Sequence, residues 1–163
     1  MDFDPTTGVL YGLYQSGKVL FTIDPHTGAA TTVGPIPDSG DASAMAFDAS
    51  GTLYVLDTTN ELLLTVDPSD ASVLTSLPLD KPVGTGAGMD FHPQTSDLYL
   101  AARVDDRASM LWTIDTIYGH LTPIGPTGFV TTMTGLAFTP EPATGLLLAL
   151  GASLVLRRRR RSD

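Results

Sequence analysis

The sequence predicts an all-β chain of propeller-like four-stranded repeats of about 44 residues, three units plus one extra strand, followed by a C-terminal hydrophobic helix. Three observations carry that prediction. Phenylalanines recur at Phe3, Phe47 and Phe91, 44 residues apart, and Phe138 follows after 47. Each of the first three is followed by a turn and then by a Leu-Tyr pair, Leu10-Tyr11, Leu53-Tyr54 and Leu98-Tyr99. The composition is rich in Gly, Pro, Thr and Asp and poor in Lys and Glu, which suits short strands joined by turns better than helices.

Within a unit the elements follow in a fixed order. The first strand ends at the phenylalanine, and a turn follows: Asp4-Pro5-Thr6-Thr7-Gly8, Asp48-Ala49-Ser50-Gly51 or His92-Pro93-Gln94-Thr95-Ser96. Proline presets φ for such a turn and glycine tolerates positive φ, so the chain reverses and the second strand starts at Leu-Tyr. The third strand reads Leu20-Phe21-Thr22-Ile23, Leu63-Leu64-Thr65-Val66 and Leu111-Trp112-Thr113-Ile114, each stopped by aspartate. The fourth covers Thr31 to Gly34, Leu74 to Leu77 and Leu121 to Gly125. Thr134 to Phe138 reads as the lone first strand of a fourth unit. Tyr11, Tyr54 and Tyr99 stand at one repeat position, and with Trp112 they are expected to pack blade against blade rather than form a sugar-stacking platform. Tyr118 falls outside the pattern.

These units resemble the Leu-Tyr … Phe-Thr-Ile-Asp-Pro-x-Thr-Gly repeats of bacterial exported propeller-like proteins, over residues 2 to about 138. The resemblance implies an architecture and no ligand. Propellers close with about four to eight blades, and three units fall short of that. The start, Met1-Asp2-Phe3-Asp4-Pro5, has neither the basic nor the apolar region of an export signal. Both gaps fall at the same end, so the expectation is an N-terminally truncated member or a misassigned start. Otherwise the units form an open array whose edges need a partner chain or dimerisation.

Residues 1–138 are therefore read as the repeat domain and residues 139–163 as a tail of different composition. Pro140, Glu141 and Pro142 hold an extended segment that continues neither strand nor helix. Residues 143–156 carry no charge and form a transmembrane helix of roughly 21 Å, short against a hydrocarbon core of about 30 Å. Arg157, Arg158, Arg159, Arg160 and Arg161 stay on the cytoplasmic side and leave the body outside. Triplet, helix and arginine cluster in that order look like the PEP-CTERM sorting signal. The resemblance implies recognition of Pro140–Pro142 by an exosortase in the membrane of Gram-negative bacteria that make extracellular polysaccharide, with the arginines as the stop signal. It implies passage through the inner membrane on a single C-terminal span, then release to the cell surface or the extracellular space.

Charge and motifs narrow the function. The chain has 18 acidic and 9 basic residues; without Glu141 and Asp163, sixteen acids face only Lys18, Lys81, Arg103 and Arg107 in the body. Such a surface repels phosphate backbones, so nucleic acid is not an expected partner. Cysteine is absent, which excludes disulfides and thiolate chemistry. His26, His92 and His120 fall in or beside turns with no nucleophile or carboxylate placed by spacing. Asp38, Asp41, Asp48 and Asp57 fall in loops around one inter-blade junction, and Asp105-Asp106 in an insertion, without the spacing of a calcium loop. No enzyme activity, metal or cofactor is expected. The expected function is an exported, tail-sorted surface or matrix protein whose repeats bind polysaccharide or a surface protein, or serve structurally. The alternatives are a metal-dependent hydrolase on a propeller scaffold and a non-functional gene fragment.

Overall fold

The structure is a computed structural model, and it describes residues 1–14, 18–37, 39–104, 108–129 and 133–138. Twelve strands form three four-stranded antiparallel sheets, and the described residues contain no helix. Blade 1 comprises β1 (Asp2–Phe3), β2 (Leu10–Tyr14), β3 (Val19–Ile23) and β4 (Ala30–Pro35). Blade 2 comprises β5 (Ala42–Phe47), β6 (Leu53–Asp57), β7 (Leu62–Val66) and β8 (Val73–Pro78). Blade 3 comprises β9 (Gly88–Phe91), β10 (Leu98–Ala102), β11 (Met110–Ile114) and β12 (Leu121–Pro126). In each sheet the strands lie in sequence order.

The first strand of each blade is innermost, and β5 touches both β1 and β9. The fourth strands lie outermost and are largely exposed. Position along the repeat thus sets burial: β5 is buried at five of its six residues. The core lies between sheets rather than within one. Tyr11, Leu20, Met45, Phe47, Val55 and Leu64 fill the joint between blades 1 and 2. Leu56, Leu63, Met89, Leu100, Trp112 and Ile114 fill the joint between blades 2 and 3. Alternation along each strand sends one set of side chains to the preceding blade and the other to the following one.

The turns behave as their residues predict. Asp4, Asp24, Asp48, Asp67 and Asp115 each accept the backbone N–H two residues on, at 2.8–2.9 Å. At His92 the imidazole replaces the carboxylate, its Nδ1 accepting the N–H groups of Gln94 (3.3 Å) and Thr95 (3.2 Å). Glycine occupies the left-handed position at Gly8, Gly28 and Gly119, whereas Ala71 and Ser96 take it without being glycine.

One expectation is corrected. Residues 134–138 do not form a strand. They lie against blade 3, and among the described residues no strand pairs with them. The expected helix over residues 143–156 lies outside the described residues, among which no helix is long and apolar enough to cross a membrane.

Candidate functional site

The turns that follow the innermost strands gather at one end of the three blades. They enclose an open cavity of about 200 Å³ lined by Asp2, Phe3, Phe47, Asp48, Asp90 and His92, among others. Asp2 and Asp90 occupy the same repeat position, filled by Ala46 in blade 2. Each carboxylate joins its own blade to a segment one repeat further along the chain, blade 2 for Asp2 and residues 134–138 for Asp90. Asp2 accepts the Phe3 N–H at 2.7 Å with one oxygen and the Phe47 N–H of the next blade at 2.7 Å with the other. Asp90 accepts the Phe91 N–H at 2.8 Å and the Phe138 N–H at 2.6 Å. Such charge-assisted bonds are among the stronger ones available to a backbone donor.

Ring contacts complete each joint. Tyr11 meets Phe47 at 5.3 Å between centroids, Tyr54 meets Phe91 at 5.1 Å, and Tyr99 meets Phe138 at 5.1 Å. The tyrosine of each unit therefore packs on the next phenylalanine of the repeat, which is blade-to-blade packing for Tyr11 and Tyr54, while Tyr99 packs on the segment after blade 3. Burial pushes the Asp90 carboxyl above its ordinary range, and the nearby Asp2 charge adds to this; the Phe138 and Phe91 N–H groups offset only part. His92 lies edge-on to Phe138 at 4.9 Å, and its Nδ1 is committed to the turn. The cavity thus offers carboxylates, aromatic edges and backbone, suited to polar or cationic groups; Ser96 and His92 of one turn also line it. Among the described residues no group of three or more His, Asp or Glu could hold a metal.

Of the acids around the first junction, Asp41 and Asp57 fall at the same end of the β5–β6 pair, where Ala42 opposes Asp57 and the Thr58 N–H donates to the Asp41 carbonyl at 3.0 Å, while Asp48 stands apart. Asp41 precedes β5 and Asp48 follows it, so an extended strand of about 20 Å separates them. Asp57 ends β6, fully buried, where it accepts bonds from the Gly40 N–H (2.6 Å), the Thr59 N–H (3.0 Å), the Asn60 N–H (3.1 Å) and Asn60 Nδ2 (2.8 Å). Burial alone would raise its carboxyl, but these donors together hold it below the ordinary carboxylate range. Asp57 is a latch between the loop entering blade 2 and that blade's central hairpin. Asp38, Asp105 and Asp106 lie outside the described residues, as do Pro140, Glu141, Pro142 and Arg157 to Arg161.

The rim of blade 3 differs from the other two. Ile117 and Tyr118 tip its outer turn, 72% and 68% exposed, where the corresponding turns carry His26-Thr27 and Ser69-Asp70. Tyr118 stacks on His120 at 6.2 Å, His120 Nδ1 lies 3.4 Å from Asp80, and Lys81 Nζ reaches both Asp80 (2.9 Å) and the Leu121 carbonyl (2.8 Å). His26 is exposed in its turn, and Trp112 is buried in the joint between blades 2 and 3. The sequence reading missed the Asp2 and Asp90 bridges. Their signal was an aspartate directly before the phenylalanine in units 1 and 3.

A family model described as a repeat of unknown function (DUF6923) matches residues 1–143. The chain belongs to that family. The DUF6923 match spans all three blades and the segment that carries Phe138. No curated protein matches the chain. Among solved structures it is similar to Kuenenia stuttgartiensis hydrazine synthase, with a TM-score of 0.52 and 20% identity over 75% of this chain and 33% of that one. It also matches the Myceliophteria thermophila Cps50 (Swd1) beta-propeller domain, with a TM-score of 0.37 and 16% identity over 72% of this chain and 38% of that one. The chain spans about a third of the length of these solved chains, and the likeness to the first is one of fold alone.

Proposed function

We propose that this DUF6923 chain is an exported surface or matrix protein, sorted through its C-terminal tail, whose blades form a non-catalytic binding or structural module. The order of features after residue 138 carries this reading. Pro140-Glu141-Pro142, an uncharged run over residues 143–156 and Arg157 to Arg161 supply an accessible cleavage segment, a span and a cytoplasmic stop. A plain anchor would need the second and third and not the first. The partners on this reading are an exosortase-type membrane enzyme, the membrane itself, and extracellular polysaccharide or a surface protein.

The blade 3 rim supports the binding half. Exposed Tyr118 offers a ring face, and Asp80 and Lys81 lie beside His120 as hydrogen-bonding groups, a combination suited to a sugar ring. The test is expression behind a working export signal in an exosortase-positive host and in its exosortase deletion, with the C-terminus read by mass spectrometry. Loss of everything beyond the Pro140–Pro142 region in the positive host alone is expected. An intact C-terminus in both hosts would reduce the tail to an anchor.

A further inference from the structure

The segment that follows blade 3 is fastened to it chiefly through one residue. The Phe138 N–H donates to Asp90 at 2.6 Å, and the Phe138 ring lies edge-on to Tyr99 at 5.1 Å and to His92 at 4.9 Å. Behind it, the backbone of Gly135 and Leu136 passes so close to Gly88 that any side chain there would collide with it. Gly88 opens β9, Asp90 and His92 flank the last residue of that strand, and Tyr99 lies on β10. The whole seat is therefore built by blade 3. It is also shallow: Leu136 and Phe138 are only half-buried, and Thr134, Gly135 and Ala137 are exposed. A segment held by one charge-assisted bond and one half-buried ring opens far more cheaply than the blades unfold.

Covalent geometry ties this seat to the Pro-Glu-Pro motif. Thr139 alone stands between Phe138 and Pro140, and a fully extended chain advances at most about 3.3–3.6 Å per residue. While Phe138 is seated, Pro140 stays within about 7 Å of it and Pro142 within about 14 Å. The uncharged run begins directly afterwards, at residue 143. A membrane enzyme that takes Pro140–Pro142 as extended peptide would have to accommodate blade 3 at that distance. Release of the chain back to Thr134 adds five residues to the tether, up to about 18 Å of reach. Cleavage of a segment held in this way follows the population of its opened form.

We propose that Thr134–Phe138 is a strap that gates processing of the tail: seated, it holds Pro140-Glu141-Pro142 too close to blade 3 for the membrane enzyme, and release of Phe138 frees the motif. The inference rests on the tail-sorting reading above and adds its regulation. Phe138 is the latch and Asp90 its keeper. Both are positioning residues, since the strap contributes no group to the cleavage itself. The gate also couples processing to folding, because Asp90, His92 and Tyr99 form the seat only once β9 and β10 are paired.

The test measures the initial processing rate of the full chain, behind a working export signal in an exosortase-positive host, by pulse labelling and mass spectrometry of the C-terminus. Phe138→Ala is expected to speed conversion about tenfold, the size of a lost half-buried aromatic anchor. Asp90→Asn, which trades a charged acceptor for a neutral one, should speed it by a smaller factor. A flexible insertion of about six Gly and Ser residues between Phe138 and Thr139 leaves the seat intact and lengthens the tether by up to about 20 Å. It should speed conversion as much as Phe138→Ala, and in the lengthened chain Phe138→Ala should then change nothing further. Ile124→Ala, on the exposed outer strand of blade 3, should process at the wild-type rate. Hydrogen exchange of the purified full chain should show residues 133–138 losing protection about tenfold in Phe138→Ala. Equal rates for wild type, Phe138→Ala and the lengthened chain, with the tail removed from all three, would overturn the gate and leave tail sorting standing. Slower processing of Phe138→Ala would overturn it as well and make the seat a presenter of the motif. An intact tail in every form, the lengthened chain included, would overturn the sorting reading and the gate with it. If Phe138→Ala fails to fold, the lengthened chain against wild type decides, because its insertion lies beyond the seat.

Discussion

Blades 1 and 2 are written in nearly the same residues and end in different states of burial. Leu10 and Leu53 open equivalent strands, each opposite a phenylalanine on one side and a β-branched residue on the other: Phe3 and Ile23 for Leu10, Phe47 and Val66 for Leu53. Leu53 is completely buried and Leu10 is not. What separates them is the neighbour, since blade 2 has a sheet on each face and blade 1 on one only. A blade of this repeat is too thin to bury its own side chains, so its stability resides in the joints, as in other repeat arrays.

That comparison can be broken most directly at its matched leucines. Leu53→Ala should cost about 3–5 kcal/mol, the upper range for a fully buried leucine that leaves a cavity. Leu10→Ala should cost about 1 kcal/mol in the single chain, because much of its surface already meets water. Urea denaturation of both variants at low protein concentration measures the difference. Equal losses would mean that blade 1 is covered in solution.

The second effect belongs to blade 2. Asp57 stands where blade 1 has Tyr14 and blade 3 has Ala102, so at this repeat position blade 2 carries a buried carboxylate that latches its entry loop. Asp57→Ala leaves the Gly40 N–H and the Asn60 side chain without their acceptor and should cost about 2–4 kcal/mol. The pH dependence follows from the lowered folded value. The contribution is fully present above the ordinary carboxylate value of 3.8 and is lost as pH falls through the lower folded value. Asp90 acts in the opposite sense, since its raised folded value means that stability declines as pH rises through that value. Thermal unfolding between pH 2 and pH 7 should therefore show an acid limb that is shallower in Asp57→Asn and a slight mid-range decline that is absent in Asp90→Asn.

The same contrast shows what could be read from the sequence. Period, strand order and turn chemistry were legible because they are local: Phe47, Asp48 and Leu53-Tyr54 state a strand end, a turn and a strand start wherever they occur. The packing of Tyr11, Tyr54 and Tyr99 was legible from recurrence alone. The Asp2 and Asp90 bridges were not, because they join residues a full repeat apart through a backbone N–H, which no side-chain pattern records. Asp57 was read as one of several loop acids for the same reason. Its meaning comes from Gly40, seventeen residues away, whose amide points into the carboxylate. The residues 134–138 were read as a strand from their likeness to earlier units, but a strand also needs a neighbour to pair with, and that lies beyond local pattern.

A smaller effect separates the outer turns of blades 1 and 3. Gly28 and Gly119 share the same left-handed φ of 73°, yet a side chain at Gly28 would meet open space, whereas one at Gly119 would strike the Pro78 carbonyl of the neighbouring blade. Gly28→Ala should cost about 1 kcal/mol, the left-handed penalty alone. Gly119→Ala should add an overpacking cost of about 1–3 kcal/mol. Thermal unfolding of the two variants separates conformational strain from blade contact at a single repeat position.

The smallest effect runs in the stabilising direction. Ser96 takes the left-handed turn position with φ 61°, where blade 1 has Gly8. It is exposed, so its hydroxyl is not needed to fill the core, and the conformational term dominates. Ser96→Gly relieves a left-handed penalty of about 1–2 kcal/mol but also loosens the unfolded chain by about 0.4–1 kcal/mol, so the net gain should be about 0.5 kcal/mol. Ala71 holds the equivalent left-handed position in the outer turn of blade 2, but it is fully buried against blade 1. Ala71→Gly should therefore forfeit buried methyl surface worth about 0.8 kcal/mol and gain nothing overall. A rise in urea midpoint for Ser96→Gly with none for Ala71→Gly would show that the repeat tolerates strain at a turn when the side chain is used to seal a joint. A rise for both would place the cost in the turn itself and remove the joint from the explanation.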